Sequence, residues 1–165
     1  MSETATEKDG PDAVVPVTVV AHSLGAVIAT GTIDHLKESG LFPSNLDLRH
    51  LFTLGSPVAV YGLRYGLQEF NSPTEVAEWV NIYYGHDLIG YPLQPLGGLL
   101  RSRVRDMELS SGGGVGPARR VFRSVVGRIN FARNVLSHSW YFNDSRVVGE
   151  IAGALAAEWA RIDES

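Results

Sequence analysis

The chain contains no cysteine. Disulfides, thiol nucleophiles and thiolate metal sites are excluded with it. No histidines and carboxylates show a helix-face metal spacing such as His-Glu-x-x-His, so neither a metal nor another cofactor is expected. No apolar run approaches the roughly 20 residues of a membrane-spanning helix, and no transmembrane segment is expected. A basic-then-apolar leader is also missing, which points to a cytoplasmic protein in this form. An excess of positive charge is lacking: Lys and Arg number 14 against 18 Asp and Glu, for a net charge of −4. That balance argues against general nucleic-acid binding.

At 165 residues the chain is long enough for one domain. Such a length can bury about two-thirds of the unfolded surface. The hydrophobic fraction of 44 % is that of an ordinary globular protein. Residues 1–12 are polar and acidic without apolar periodicity, and read as a disordered tail ahead of a single domain over 13–165. Positive charge is concentrated in one segment: Arg101, Arg103, Arg105, Arg119, Arg120, Arg123, Arg128 and Arg133 face only Asp106 and Glu108. It is either a solvated excursion or a basic rim that attracts anionic substrates or lipid head groups. RNA binding is disfavoured there, because Phe122 and Phe131 stand alone without aromatic interleaving.

The most specific signal lies near the start. Val17-Thr18-Val19-Val20 is a run of strand formers that ends at Ala21-His22-Ser23-Leu24-Gly25, and Ala26-Val27-Ile28-Ala29 begins a small-residue helix pattern. A strand, a sharp turn and a helix are therefore expected, with a serine at the apex. This is a variant of the Gly-x-Ser-x-Gly nucleophile elbow, with Ala21 at the first glycine position. The turn strains the serine backbone, and residues two positions away must be small to avoid a clash. Ala21 and Gly25 meet that demand. The plainer reading is a tight strand–helix turn of an ordinary α/β domain.

With these residues the chain resembles the lipase and esterase branch of the α/β-hydrolase superfamily. Leu51-Phe52-Thr53-Leu54-Gly55-Ser56-Pro57-Val58 is similar to the strand after the nucleophile helix. Trp79-Val80-Asn81-Ile82-Tyr83-Tyr84-Gly85-His86-Asp87 is similar to the next strand, which ends in an acid. Ser137-His138-Ser139-Trp140-Tyr141 resembles the loop that delivers a histidine before the last helix. The resemblance implies the order nucleophile, acid, histidine, and Ser23, Asp87 and His138 fall in that order. A serine hydroxyl needs a neighbouring base to take its proton, and the base needs a carboxylate to fix its tautomer. Asp106 remains a second candidate acid. Asp34 and Asp47 come too early, and Asp144 reads as the N-cap of the final helix. Among the other histidines, His22 adjoins the serine without an expected proton-transfer role. His35 reads as solvent-facing, His50 leads into a strand and His86 reads as site wall. The Leu24 amide is the expected oxyanion donor. His22, His86, Tyr91 and Leu93 are the candidate substrate pocket. The apolar set Tyr91, Leu93, Leu96, Leu99 and Leu100 either lines an acyl pocket or closes the core beneath its loop.

The resemblance also implies what precedes the elbow: further strands, and a loop supplying the second oxyanion donor. Only residues 1–13 lie ahead of the expected elbow strand. The expected fold class is therefore α/β: a mostly parallel sheet covered by helices, a truncated α/β-hydrolase fold lacking its N-terminal strands. Gly112-Gly113-Gly114 follows Ser23 and is no substitute for the missing loop. Without an outer neighbour the elbow strand becomes an apolar edge, so a second copy or a partner chain is expected to cover it.

Strands are expected over residues 14–20, 48–54, 79–84 and 104–109, and helices over 24–38 and 144–162. Gly40 is expected to cap the first helix. Residues 58–70 suit a helix weakened by Gly62 and Gly66, or a mobile wall over the site. Residues 88–100 read as a loop, and 121–135 as a helix or a hairpin. In the last helix Val147, Val148, Ile151, Leu155 and Trp159 form one apolar stripe. The function expected is carboxylic ester hydrolysis on a small ester or lipid substrate. The alternative is a catalytically incomplete hydrolase-fold fragment acting as an interaction module or needing a partner chain.

Overall fold

Apolar runs separated by helix-length stretches favour parallel pairing, because a parallel strand is reached by a crossover rather than a tight hairpin. A computed structural model describes residues 13–65, 76–109 and 138–163 of the chain. Strands β1 (Val15–His22), β2 (Leu46–Leu54), β3 (Glu78–Tyr84) and β4 (Val104–Leu109) form a sheet in the order β1-β2-β3-β4. Every adjacent pair is parallel. Helix α1 (Leu24–Glu38) connects β1 to β2, α2 (Val58–Tyr65) follows β2, and α3 (Gly98–Arg103) leads into β4. Helix α4 (Ser145–Asp163) comes last. The protein is thus of the α/β class, with an open sheet in which β1 is the outermost described strand on its side.

Helices cover both faces. On one face α1 and α2 place Ala26, Ile33, Val58 and Ala59 against Leu48, Leu51, Trp79 and Val104. On the other, α4 places Val147, Ile151 and Ala154 against Phe52, Val80, Ile82 and Leu109. Strand β3 is buried along nearly its whole length, as its near-continuous apolar sequence requires. A bulge in β2 sets which side chains face which layer. Val17 is opposite Leu48 while Thr18 is opposite His50, so Arg49 is an extra residue. It allows Leu48 and Leu51, at odd spacing, to share the α1 face.

The expected helix over 24–38 has those same bounds, and Gly40 just beyond it takes a positive φ of 68° and donates its N–H to the Lys37 carbonyl. The expected loop over 88–100 instead contains a single 3-10 turn, Gln94–Leu96, and the first residues of α3. Expectations for residues 1–12, 66–70, 112–114 and 121–135 lie outside the described residues, as do Arg119, Arg120, Arg123, Arg128 and Arg133.

The stripe expected on α4 is corrected by the structure. Val147 is fully buried, but Val148 and Leu155 are half exposed and Trp159 is 73 % exposed. The line Val147–Ile151–Ala154 meets the sheet, and Leu155 and Trp159 are turned aside. Ion pairs of Glu158 with Arg49 at 3.0 Å, and of Glu150 with Arg105, flank that contact.

Two predictions follow from this packing. Leu54 is fully buried, and Leu54→Ala should cost about 2–5 kcal/mol of stability, read as a lower urea midpoint. On α1, burial and the nearby Glu38 raise the Asp34 carboxyl from 3.8 to about 7. The folded state then binds more protons than the unfolded state across that window, so this group makes stability fall as pH rises from about 4 to 7. Asp34→Asn should remove that slope and melt higher than the wild type at pH 8, with little difference at pH 4.

Candidate active site

In a parallel sheet all strands end at one rim, and ligands of open α/β sheets bind beyond that rim. Ser23 directly follows the last residue of β1, and Asp87 stands three residues beyond β3. Ser23 has φ 56° and ψ −129°, the sole positive φ of a non-glycine among the described residues. Such a conformation costs about 1–3 kcal/mol and persists only where neighbours hold it. Here the Ser23 N–H donates to the Leu54 carbonyl at 2.9 Å, and the Ala26 N–H donates to the Ser23 carbonyl at 3.0 Å. The hydroxyl makes no capping bond to α1. It meets His138 Nε2 at 2.7 Å instead. Leu24 opens α1, so its N–H has no partner within the helix and adds to the positive end of the helix dipole.

The small-residue demand read from the sequence is met differently on the two sides of the turn. Ala21 is buried against the α1 layer. Among the described residues a Cβ built on Gly25 would meet no atom within 4 Å outside its own helix.

The other side of His138 completes a chain of hydrogen bonds. Its Nδ1 lies 2.9 Å from Asp87 Oδ2. An acceptor carboxylate at Nδ1 fixes the proton there and leaves Nε2 to accept from the serine. The Asp87 side chain is 1 % exposed and that of His138 16 %. Burial alone pushes the Asp87 carboxyl up, but hydrogen bonds from His138, the Ile89 N–H and Tyr141 outweigh it and hold the group below its ordinary range. The Ile89 N–H donates to Oδ1 at 2.9 Å, and the Tyr141 hydroxyl to Oδ2 at 2.7 Å.

His22 holds the segment that carries His138. Its Nε2–H donates to the His138 carbonyl at 2.7 Å, and the two rings lie 4.8 Å apart. His86 packs beside Tyr84, with ring centroids 5.4 Å apart. Tyr91 is partly exposed and donates its hydroxyl to the Leu88 carbonyl at 2.9 Å. Leu93, the remaining candidate pocket residue, is fully buried in the α1-side core and does not face an open cleft. Leu93 and Leu100 thus close the core beneath their loop.

The competing acids are engaged elsewhere. Asp106 accepts the N–H groups of Leu93 and Gln94, at 2.9 and 2.8 Å, and an Asn81 amide proton at 2.7 Å. Asn81 also donates to the Tyr91 carbonyl and accepts from Thr53, which in turn accepts from Trp79. This buried network ties β2, β3 and β4 to the loop that follows Asp87. Asp144 caps α4, accepting the Arg146 N–H at 2.9 Å, and accepts the Tyr84 hydroxyl at 2.7 Å. Asp47 pairs with Arg49. Sequence reasoning missed Tyr141: no spacing rule flags a tyrosine three residues beyond His138.

Among the described residues no group of three or more histidines and carboxylates is placed to hold a metal ion. No helix there is long and apolar enough to cross a membrane. Comparison of the chain with models of known families, with characterised proteins and with solved structures returns no match. What the coordinates themselves define is an α/β domain carrying a Ser–His–Asp hydrogen-bond chain at the carboxyl rim of its sheet.

The strained serine generates a test of its own. Ser23→Gly should raise stability by about 1 kcal/mol, read as a higher melting temperature, because glycine takes positive φ without the Cβ penalty. Substitution of a residue whose side chain only packs would lower it.

Proposed function

We propose that this protein is a serine hydrolase of carboxylic esters, of the lipase and esterase type, and a member of the α/β-hydrolase superfamily. The observation that supports this most directly is the unbroken path from Ser23 Oγ to His138 Nε2, 2.7 Å, and from His138 Nδ1 to Asp87 Oδ2, 2.9 Å. In the proposed reaction Ser23 Oγ attacks the ester carbonyl while its proton passes to His138 Nε2. Asp87 stabilises the imidazolium and keeps its orientation. The Leu24 N–H donates to the developing oxyanion. His138 then delivers the proton to the departing alkoxide, leaving an acyl group on Ser23. A water molecule gives a proton to His138 and attacks the acyl carbon, and the carboxylic acid leaves as Ser23 regains its proton. Two donors are the usual complement of an oxyanion hole, and a site short of one runs about two to three orders of magnitude slower.

A second reading is favoured by one observation. β1, which leads into Ser23, is the outermost described strand on its side, and Val15 and Val20 on it are exposed. An uncovered apolar edge is a template for strand addition. On this reading the domain works as an interaction module, or becomes active when a second copy or a partner chain covers β1.

Hydrolysis of a short-chain p-nitrophenyl ester decides between them. The enzyme reading expects turnover that falls by about 10⁴-fold or more in Ser23→Ala, together with covalent labelling of Ser23 by a fluorophosphonate. Turnover unchanged by that substitution, or a fluorophosphonate that leaves Ser23 unmodified, removes the enzyme reading for the chain alone.

A further inference from the structure

Tyr141 is among the largest fully buried side chains of the protein, and its hydroxyl serves two partners. It accepts the Tyr84 N–H at 3.0 Å. With that direction set, its own proton is directed to Asp87 Oδ2 at 2.7 Å. Oδ2 is also the oxygen that receives His138 Nδ1. The backbone clears space for this contact at two points. A Cβ at Gly55, where φ is 54°, would sit 2.6 Å from the Tyr141 ring and 3.0 Å from Asp87 Oδ2. A Cβ at Gly90 would sit 3.1 Å from the same oxygen and 3.2 Å from the Tyr141 hydroxyl. Gly55 follows β2 and Gly90 follows Asp87, so the phenol and the carboxylate meet between two loops that both leave room for them.

We infer that Tyr141 is a positioning residue for the proton path: its hydroxyl fixes the Asp87 carboxylate against His138 and shares the negative charge of Oδ2. The inference rests on the hydrolase reading for its effect on rate, but not for its effect on Asp87. A phenylalanine would fill the same volume. The hydroxyl adds a third donor to a carboxylate removed from water, alongside His138 and the Ile89 N–H. Burial pushes the Tyr141 phenol far above its ordinary range, and the neighbouring Asp87 charge raises it further, so the proton stays on the phenol at any working pH. Among the described residues the other titratable rings beside Tyr141 are Tyr84, at 4.8 Å, and His22, at 5.7 Å. Tyr84 is itself pushed up to about 12 by burial and by Asp144, so it carries no charge near neutrality.

The test is Tyr141→Phe in the full chain, with the Asp87 carboxyl followed by carbon NMR as pH is lowered. Loss of the hydroxyl should move the Asp87 titration upward by roughly one pH unit, since a hydrogen bond to a charged group is worth about that much. Fluorophosphonate labelling of Ser23 at neutral pH should slow about tenfold, and the acid limb of its pH profile should rise with Asp87. A purely space-filling role predicts an unmoved Asp87 titration in Tyr141→Phe, and that result overturns the inference even where the wild type labels normally. If the wild type fails to label while the Asp87 titration still moves, the positioning role stands and the hydrolase reading falls.

Discussion

Parallel pairing of β1, β2 and β3 is the constraint on which the site depends. Because these strands run the same way, the residues that leave β1 and β3 emerge on one rim. Ser23 and Asp87, 64 positions apart in sequence, reach that rim without either segment having to reach across the sheet. The same pairing supplies the Leu54 carbonyl that holds the Ser23 N–H, so the strained turn is anchored to the neighbouring strand. A strain of about 1–3 kcal/mol is small beside the burial of the two core layers, and the fold can carry it locally.

Around that rim, buried polar groups set the orientation. Asp87 has nearly no contact with water, and stays ionised because donors surround it. The Thr53–Asn81–Asp106 network lies one layer below and pins the loop beyond Asp87 through backbone groups of Leu93, Gln94 and the Tyr91 carbonyl. From early and late in the chain His22 and Tyr141 reach into the same place, Tyr141 to the carboxylate and His22 to the His138 carbonyl. Each group is satisfied by a partner distant in sequence, so the geometry is a property of the assembled layers. This is the sense in which buried polar networks specify a single arrangement.

The outermost position of β1 sets this domain's character as much as its polar centre. The strand that leads into Ser23 is, like β4 at the opposite side, one with a described neighbour on one side alone. Val15 and Val20 on this edge are exposed. On the hydrolase reading, the nucleophile therefore directly follows an outermost described strand of the sheet.

Much of this was legible in residue order. The β-branched run 17–20, the abrupt small residues around Ser23 and the helix pattern to Glu38 mark a strand, a turn and a helix through local sterics alone. The apolar continuity of β3 announced burial on both faces, and Asp87 close behind that run announced a carboxylate near a strand end. Other features had no local signal. Which side of α4 meets the sheet shows in its packing on Phe52, Val80, Ile82 and Leu109 from other strands, which leaves Trp159 exposed. The place of Leu93 in the core, the diversion of Asp106 to backbone amides and the hydroxyl of Tyr141 on Asp87 all join segments far apart in the chain. Periodicity and turn chemistry act over a few residues and so determined the elements and their order. Hydrogen-bond direction and the meeting of buried groups depend on which surfaces pack together, and only the tertiary structure decided those.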